Sequence, residues 1–204
     1  MSIISKYSIS TLLLFPNWIV NFWIWIMINL PAKLLTERLI IRPLQKEDLS
    51  AYLTFMTDEQ ATRYLMFTAE QKTPEGAKEL FDAIIASYDS EKPIFAYAIA
   101  LKDNKFIGSC GISEIAEDEI YECYYSLLPT YWKQGYATEA TKALIKYCFY
   151  NSCVREIRAY ISQDNADSFQ VAKRVGMSYW GTKKHPLFGN EGKMYSLNRD
   201  MLFF

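Results

Sequence analysis

Residues 120–140, IYECYYSLLPTYWKQGYATEA, read as a strand, a turn and the start of a helix. Ile120–Leu127 is apolar and aromatic enough for a strand, and Pro129 ends it. Gly135 has no Cβ, so the backbone there permits a close approach or a positive φ. The free N–H groups of the helix that follows attract anions, and Lys133 adds a cation. The turn predicts a pyrophosphate site, although an ordinary strand-to-helix turn with one glycine is the alternative at this point.

Strands and helices alternate on both sides of this turn. Thr73-Pro74-Glu75 predicts a helix start, with an N-cap threonine, proline at the first position and an acid near the positive end. The order of elements predicts an α+β fold, a mixed sheet covered by helices. The predicted elements are strands at Glu37–Arg42, Phe95–Leu101, Lys105–Ser113, Ile120–Leu127, Glu156–Ile161, Met177–Lys184 and Lys193–Asp200, and helices at Glu47–Met56, from Thr73, at Thr138–Tyr150 and from Asn165 to Val175.

Composition narrows the possible functions. The chain has 204 residues, 50% of them hydrophobic and 16% aromatic, which predicts one packed domain. Its net charge of -1 gives no support for a general nucleic-acid binder. His185 is the single histidine, which excludes a zinc site of several histidines, and its polar surroundings before Pro186 predict an exposed side chain. The four cysteines form no CxxC pair and are expected to be reduced thiols in a cytoplasmic protein.

The N-terminus is a hydrophobic extension, residues 1–32, ahead of a domain predicted at 33–204. Leu12–Leu30 carries no charge and is close to the length of a membrane span. Pro16 and three asparagines weaken insertion, the basic flanks are thin, and no signal-peptide cleavage site is clear. Three interpretations follow: a dispensable extension of a chain that starts at Met27, a membrane anchor, or a helix packed on the domain.

Four blocks of the sequence resemble, in order, the GNAT superfamily of N-acetyltransferases, and they are most similar to its ribosomal-protein (RimJ/RimL) branch. The resemblance runs from Leu35 to the C-terminus. Trp132 stands where the superfamily usually has Gln or Arg, and Lys133 where glycine is frequent. The blocks are Thr36-Glu37-Arg38-Leu39-x-x-Arg42-Pro43-Leu44, Leu128-Pro129-x-Tyr131-Trp132-x-x-Gly135-Tyr136-Ala137-Thr138-Glu139-Ala140, Asn165-x-x-Ser168 with Lys173-Arg174-Val175-Gly176-Met177, and Tyr195-Ser196-Leu197.

This resemblance implies a mainly antiparallel, twisted sheet with helices on both faces, in which two central strands splay apart to hold coenzyme A. Acetyl-CoA would be the co-substrate, and no metal is implied. The pantetheine arm would lie between 122–128 and 156–161. The cofactor-binding residues that the resemblance implies are Leu127, Leu128, Gln134, Gly135, Tyr136, Ala137, Thr138 and Asn165.

The resemblance also implies catalytic residues. Glu122, on the strand beside the thioester, is the candidate general base, directly or through water, with Glu114 as its rival. An exposed strand carboxylate is the alternative for Glu122. Ser168 is the candidate partner of the departing thiolate, and a residue bonded near the helix cap is its alternative. Ala172 stands where many members place a tyrosine general acid. Glu139 is expected to favour the helix dipole and not to react.

The expected reaction is acetylation of a primary amine, in first place a protein N-terminal α-amine, by direct attack in a ternary complex. A small-molecule amine such as an aminoglycoside or polyamine is the enzymatic alternative, since the acidic run Glu114, Glu117, Asp118 and Glu119 could attract a cation. A non-catalytic CoA-binding or membrane-tethered module is the alternative outside enzymes. A monomer or homodimer without nucleic acid is expected.

Overall fold

Side chains along the strand Ala96–Leu101 alternate between two buried clusters. Ala96 and Ala98 join one cluster, whereas Tyr97 and Ile99 join the other, because successive residues of a strand point to opposite faces of the sheet. Both faces of this strand are apolar, so both must be covered by other elements.

A computed structural model describes residues 31–90, 92–116 and 119–203, without the side chains of 116, 202 and 203. Short 3₁₀ segments also occur, among them Lys46–Asp48 and Pro129–Tyr131. The main elements are β1 (Leu34–Leu35), β2 (Leu39–Pro43), α1 (Leu49–Thr57), α2 (Glu59–Thr62), α3 (Pro74–Ser87), β3 (Ala96–Leu101), β4 (Phe106–Ala116), β5 (Ile120–Leu127), α4 (Tyr136–Asn151), β6 (Glu156–Ile161), α5 (Ala166–Val175), β7 (Ser178–Lys184) and β8 (Glu191–Asn198).

These strands form one sheet in the order β1-β2-β3-β4-β5-β6-β8-β7. Every neighbouring pair is antiparallel except β5 and β6, which are parallel. Helices α1 and α3 pack on one face through Phe55 and Phe81. Helices α4 and α5 pack on the other through Leu144 and Ala172. The predicted α+β fold with helices on both faces is confirmed.

The parallel pair is incomplete, and this decides where a ligand can enter. β5 and β6 pair only at Ile120 with Glu156, Tyr121 with Ile157 and Glu122 with Arg158. Beyond these positions β5 continues to Leu127 against β4 alone, and β6 continues to Ile161 against β8 alone. The sheet therefore opens after Glu122, as expected for the two splayed strands.

Local signals set several boundaries as predicted. β5 and β6 have their predicted bounds. The Thr73 side chain accepts a hydrogen bond from Gly76 N at the start of α3, and Gly176 ends α5 with φ +102°. The short β1 and α2 were not predicted. The segment Leu12–Leu30 lies outside the described residues, and none of the helices that the structure describes has the length and apolar character to cross a membrane.

Candidate active site

A cleft of about 1140 Å³ opens where β5 and β6 part. Its lining combines β5, β6, the segment from α1 to α3, the first turn of α4, one side of α5, and the loop between β7 and β8. Among the predicted site residues, Leu128 and Gln134 lie outside this lining. The Leu128 N–H already donates to Ile107 O at 3.0 Å. The predicted site residues that do line the cleft are Glu122, Leu127, Gly135, Tyr136, Ala137, Thr138, Asn165 and Ser168.

One end of the cleft is built from backbone N–H groups. Gly135 precedes α4 with φ +83°, in the left-handed region that glycine adopts without strain. The first hydrogen bond of the helix runs from Glu139 N to Gly135 O at 3.0 Å. The amides of residues 136–138 come before this bond and have no partner within the helix. Together with the helix dipole, they form a site for an anionic group.

Arg38, which lies 96 residues before Gln134 in the sequence, holds this turn in place. Arg38 Nη1 donates to Gln134 O at 2.8 Å, and its guanidinium lies 4.6 Å from the centre of the Tyr136 ring. Glu139 binds the same arginine, with Arg38 Nε 2.7 Å from Oε2 and Arg38 N 2.8 Å from Oε1, and accepts from Thr36 Oγ1 at 2.6 Å. Burial acts to raise the pKa of the Glu139 carboxyl, but these hydrogen bonds outweigh it, and the pKa is lowered. Glu139 is a structural anchor in the first turn of α4.

Two further residues shape the same turn. Trp132 Nε1 donates to Leu127 O at 2.6 Å, which ties the turn back to the end of β5. Lys133 is exposed, lines the cleft and adopts a positive φ of 59°. The left-handed conformation is unfavourable for a residue with a Cβ. The structure thus places a strained lysine beside the anion site.

Glu122 lies at the point where the strands part, and its partner corrects a sequence prediction. Its Oε2 atom is 2.7 Å from His185 Nε2. His185 was predicted to be exposed, and this is wrong: only 3% of its surface is accessible. The loop between β7 and β8 folds over the ring, which contacts the tilted rings of Tyr160 and Phe188 at centroid distances of 4.8 and 4.7 Å. The signal available in the sequence was weak, a lone histidine before the apolar turn Pro186-Leu187-Phe188.

The two candidate bases face opposite sides of the sheet. Glu122 pairs with Ser113 across β4 and β5, whereas Glu114 pairs with Tyr121, and cross-strand partners share a face. Ser113 and Glu122 line the cleft, but Glu114 does not. Glu117 and Asp118 of the acidic run lie outside the described residues.

Helix α5 lines the cleft and carries Ser168, the candidate partner of the departing thiolate. Asn165 caps the helix by accepting from Ser168 N at 3.2 Å, so the local role expected as the alternative for Ser168 is present at its backbone. Ser168 O also accepts from the Tyr125 hydroxyl at 3.2 Å, a bond that joins β5 to α5. Ala172, which stands where the resemblance places a tyrosine general acid, is buried in the core.

The comparisons with known proteins agree with this arrangement. The family model of the acetyltransferase (GNAT) domain matches residues 38–178. The chain belongs to the GNAT acetyltransferase family. It is 26% identical over 165 residues to the uncharacterized N-acetyltransferase YoaA of Bacillus subtilis, a match that covers 80% of this chain and 92% of YoaA. The chain is therefore an N-acetyltransferase of this family.

Solved structures show the same fold at low identity. RimJ of Mycobacterium smegmatis, solved in complex with CoA-disulfide, matches with a TM-score of 0.68 and 17% identity over 81% of this chain and 84% of RimJ. Spermidine N-acetyltransferase of Vibrio cholerae, solved with CoA and spermine, matches with a TM-score of 0.67 and 16% identity over 81% of this chain and 98% of its own. The structures that share this fold include both RimJ and an enzyme named for a polyamine, so the fold alone does not select the acceptor of this GNAT enzyme.

Proposed function

We propose that this enzyme transfers the acetyl group of acetyl-CoA directly to a protein N-terminal α-amine within a ternary complex. The observation that carries the proposal is the parting of β5 and β6 after Glu122, in a cleft that ends at the free amides of residues 136–138. Unpaired strand edges suit an amide-rich arm, and the helix N-terminus suits the phosphates of the same ligand. CoA has this combination in one molecule.

The proposed cofactor contacts divide along the cleft. Backbone groups of Leu127 and its β5 neighbours pair with the pantetheine arm, beside Asn165. The amides of Gly135 to Thr138 bind the pyrophosphate, with Lys133 as a nearby cation. Leu128 and Gln134 support the cofactor site indirectly, by holding the turn in shape. The Leu128 N–H and the Gln134 carbonyl already have hydrogen-bond partners within the protein.

Glu122 is the proposed general base. An α-amine with a pKa near 8 is about 10% neutral at pH 7, whereas a lysine with a pKa near 10.4 is only about 0.04% neutral. One carboxylate therefore suffices to deprotonate an α-amine, directly or through a water. Only 19% of the Glu122 side chain is accessible, and the residue lies where the cleft begins.

The proposed transfer is a single displacement. The neutral amine nitrogen attacks the thioester carbonyl carbon and gives its excess proton to Glu122. The C–S bond breaks, and the sulfur leaves as a thiolate that takes up a proton. Ser168 Oγ or a water supplies that proton, because Ala172 has none to give. Cys123 also lines the cleft, but burial, followed by the charge of Glu122, raises the pKa of its thiol well above the usual range. A thiol held in this form is a poor nucleophile, which argues against an acyl-cysteine intermediate.

The charges of the cleft favour a singly charged acceptor. A polyamine or aminoglycoside carries several cations and requires an excess of carboxylates. Among the described residues of this lining, acidic and basic side chains balance, and the walls from α1 to α3 are largely aromatic and aliphatic. The charged lining residues are Arg63, Glu122, Lys133, Asp164, Asp167 and Arg174.

Release of free CoA, measured with a thiol reagent, tests the proposal. The panel would contain N-terminal peptides with free and with blocked α-amines, spermidine and an aminoglycoside. We expect turnover with free α-amine peptides, and mass spectrometry should find the acetyl group on the N-terminal nitrogen. Turnover confined to spermidine or the aminoglycoside would overturn the proposed acceptor while leaving acetyl transfer in place.

A further inference from the structure

His185 lies in the loop between β7 and β8 and meets the candidate base across the cleft. We infer that His185 is a positioning residue, which binds one carboxylate oxygen of Glu122 and thereby directs the other towards the acceptor amine. The inference rests on the proposed role of Glu122 as general base. Glu122 Oε2 contacts His185 at 2.7 Å, and Oε1 has no hydrogen-bond partner among the described residues.

The hydrogen bonds of the ring determine which nitrogen carries the proton. His185 Nδ1 accepts from two backbone amides, Leu187 N at 3.1 Å and Phe188 N at 3.2 Å. A nitrogen that accepts two N–H groups has no proton of its own, so the neutral imidazole carries its proton on Nε2. His185 therefore donates this proton to Glu122 Oε2.

This direction of donation limits what the histidine can do. Nε2 is already protonated, and protonation of Nδ1 would place an N–H against two N–H donors. His185 cannot take the proton of the amine, so Glu122 is the final acceptor within this pair. In a serine hydrolase triad the carboxylate orients the histidine, which acts as the base. Here the histidine orients the carboxylate.

The ring is fixed firmly enough for this task. It is buried between Tyr160 and Phe188, and the loop around it is closed by His185 N to Asn190 O at 2.8 Å and Gly189 N to His185 O at 2.9 Å. A carboxylate on a strand can rotate about its side-chain bonds, and a base misplaced by about 1 Å can cost on the order of 100-fold in rate. A rigid donor removes that freedom.

Two substitutions separate positioning from loop structure. The side-chain oxygen of His185→Asn replaces Nδ1 as acceptor of the loop amides, but the shorter side chain does not reach Glu122. His185→Gln places an amide N–H at the same number of bonds as Nε2 and retains the donor to Glu122, but it gives up the Nδ1 acceptor. We expect His185→Asn to lower kcat on the order of 10- to 100-fold, with KM for acetyl-CoA changed by less than about twofold. His185→Gln should recover most of this loss even if its melting temperature is lower.

A purely structural role predicts the opposite order, with the Asn variant more active than the Gln variant, and that order would overturn the inference. A double-mutant cycle with Glu122→Gln tests the path of action. We expect His185→Asn to have no further effect on kcat once Glu122 has been replaced. An equal fall in both backgrounds would refute action through Glu122 and leave the base intact. Wild-type kcat for Glu122→Gln itself would instead refute the base, while CoA release by the wild-type protein continues to support acetyl transfer.

Discussion

Lys133 carries a prediction with two effects of opposite sign. Its φ of 59° places it in the left-handed region, and it lines the cleft beside the anion site. Lys133→Gly relieves roughly 1–2 kcal/mol of backbone strain. The added freedom of glycine in the unfolded chain takes back roughly 0.5–1 kcal/mol. At the middle of these ranges a net gain of about 0.75 kcal/mol remains, which corresponds to a melting temperature higher by about 1.5–3 °C in a chain of this size.

The same substitution removes a cation from the proposed phosphate end. One exposed ion pair contributes about 0.5–1 kcal/mol, so the affinity for acetyl-CoA should fall about two- to fivefold. The loss should become smaller at high ionic strength, because salt screens exposed charges. Lys133→Gly is therefore expected to be more stable and to bind more weakly.

Lys133→Ala is the matched control, since it removes the charge but keeps the Cβ that causes the strain. Thermal unfolding of the free proteins should place Lys133→Gly above Lys133→Ala, and calorimetric titration with acetyl-CoA should give the two variants equal affinities. A glycine variant that melts no higher than the alanine variant would refute the left-handed conformation. Unchanged affinity in both would refute the role of Lys133 at the phosphates.

Three more predictions concern the turn at Gly135, its anchor Glu139 and the buried ion pair of Arg42 with Asp48. Gly135→Glu places an anion in the anion site and should weaken acetyl-CoA binding by at least about 30-fold, or about 2 kcal/mol, in a calorimetric titration. Gly135→Ala is the control, because it adds the same Cβ at φ +83°, 3.2 Å from Arg38 Nη2, without the anion. Equal affinities of the two variants would contradict the site. The Glu139 pKa lies below its ordinary value of 4.5, so the carboxylate stabilises the fold above that pH and loses this effect as the pH falls through the folded-state pKa. In urea unfolding, Glu139→Gln should have a lower free energy of unfolding than wild type at pH 7, and the difference should shrink below pH 4.5. A difference that stays constant with pH would count against the ionic anchor. Arg42 binds Asp48 through Nη1–Oδ2 at 2.6 Å and Nη2–Oδ1 at 2.9 Å, with both side chains 5% accessible. Arg42→Met leaves the buried charge of Asp48 unpaired and should lower the free energy of urea unfolding by about 3–5 kcal/mol. A loss below about 1 kcal/mol would show that water solvates Asp48 in the variant.

Local chemistry explains why much of the fold was predictable. Pro129 ends β5, Asn165 caps α5 and Gly176 stops it, and each acts within a few residues of its own position. The segment Phe95–Leu101 was likewise predicted as a strand, and β3 covers Ala96–Leu101. The turn at Gly135 was recognisable because glycine has a conformational freedom that other residues lack.

The contacts that complete the site were not predictable in the same way, because they join distant parts of the chain. The polar neighbours of His185 predict an exposed side chain, whereas its actual partner is Glu122, 63 residues away. The choice between Glu122 and Glu114 depends on which strand residues share a face with the cleft, and that follows from a register visible only in the assembled sheet. The role of Arg38 at the Gln134 carbonyl was missed for the same reason.

The clamp between Arg38 and Glu139 also has a consequence for how the site comes into being. Its hydrogen bonds join residues that are 101 positions apart, and the bond from Thr36 spans 103. The entropy of closing so large a loop must be overcome before these contacts form. A fragment that spans residues 120–151 contains the whole turn but lacks its clamp, so it should not bind CoA when transplanted into another protein. The site is a property of the finished domain, and during synthesis it can form only after both ends of the clamp have emerged.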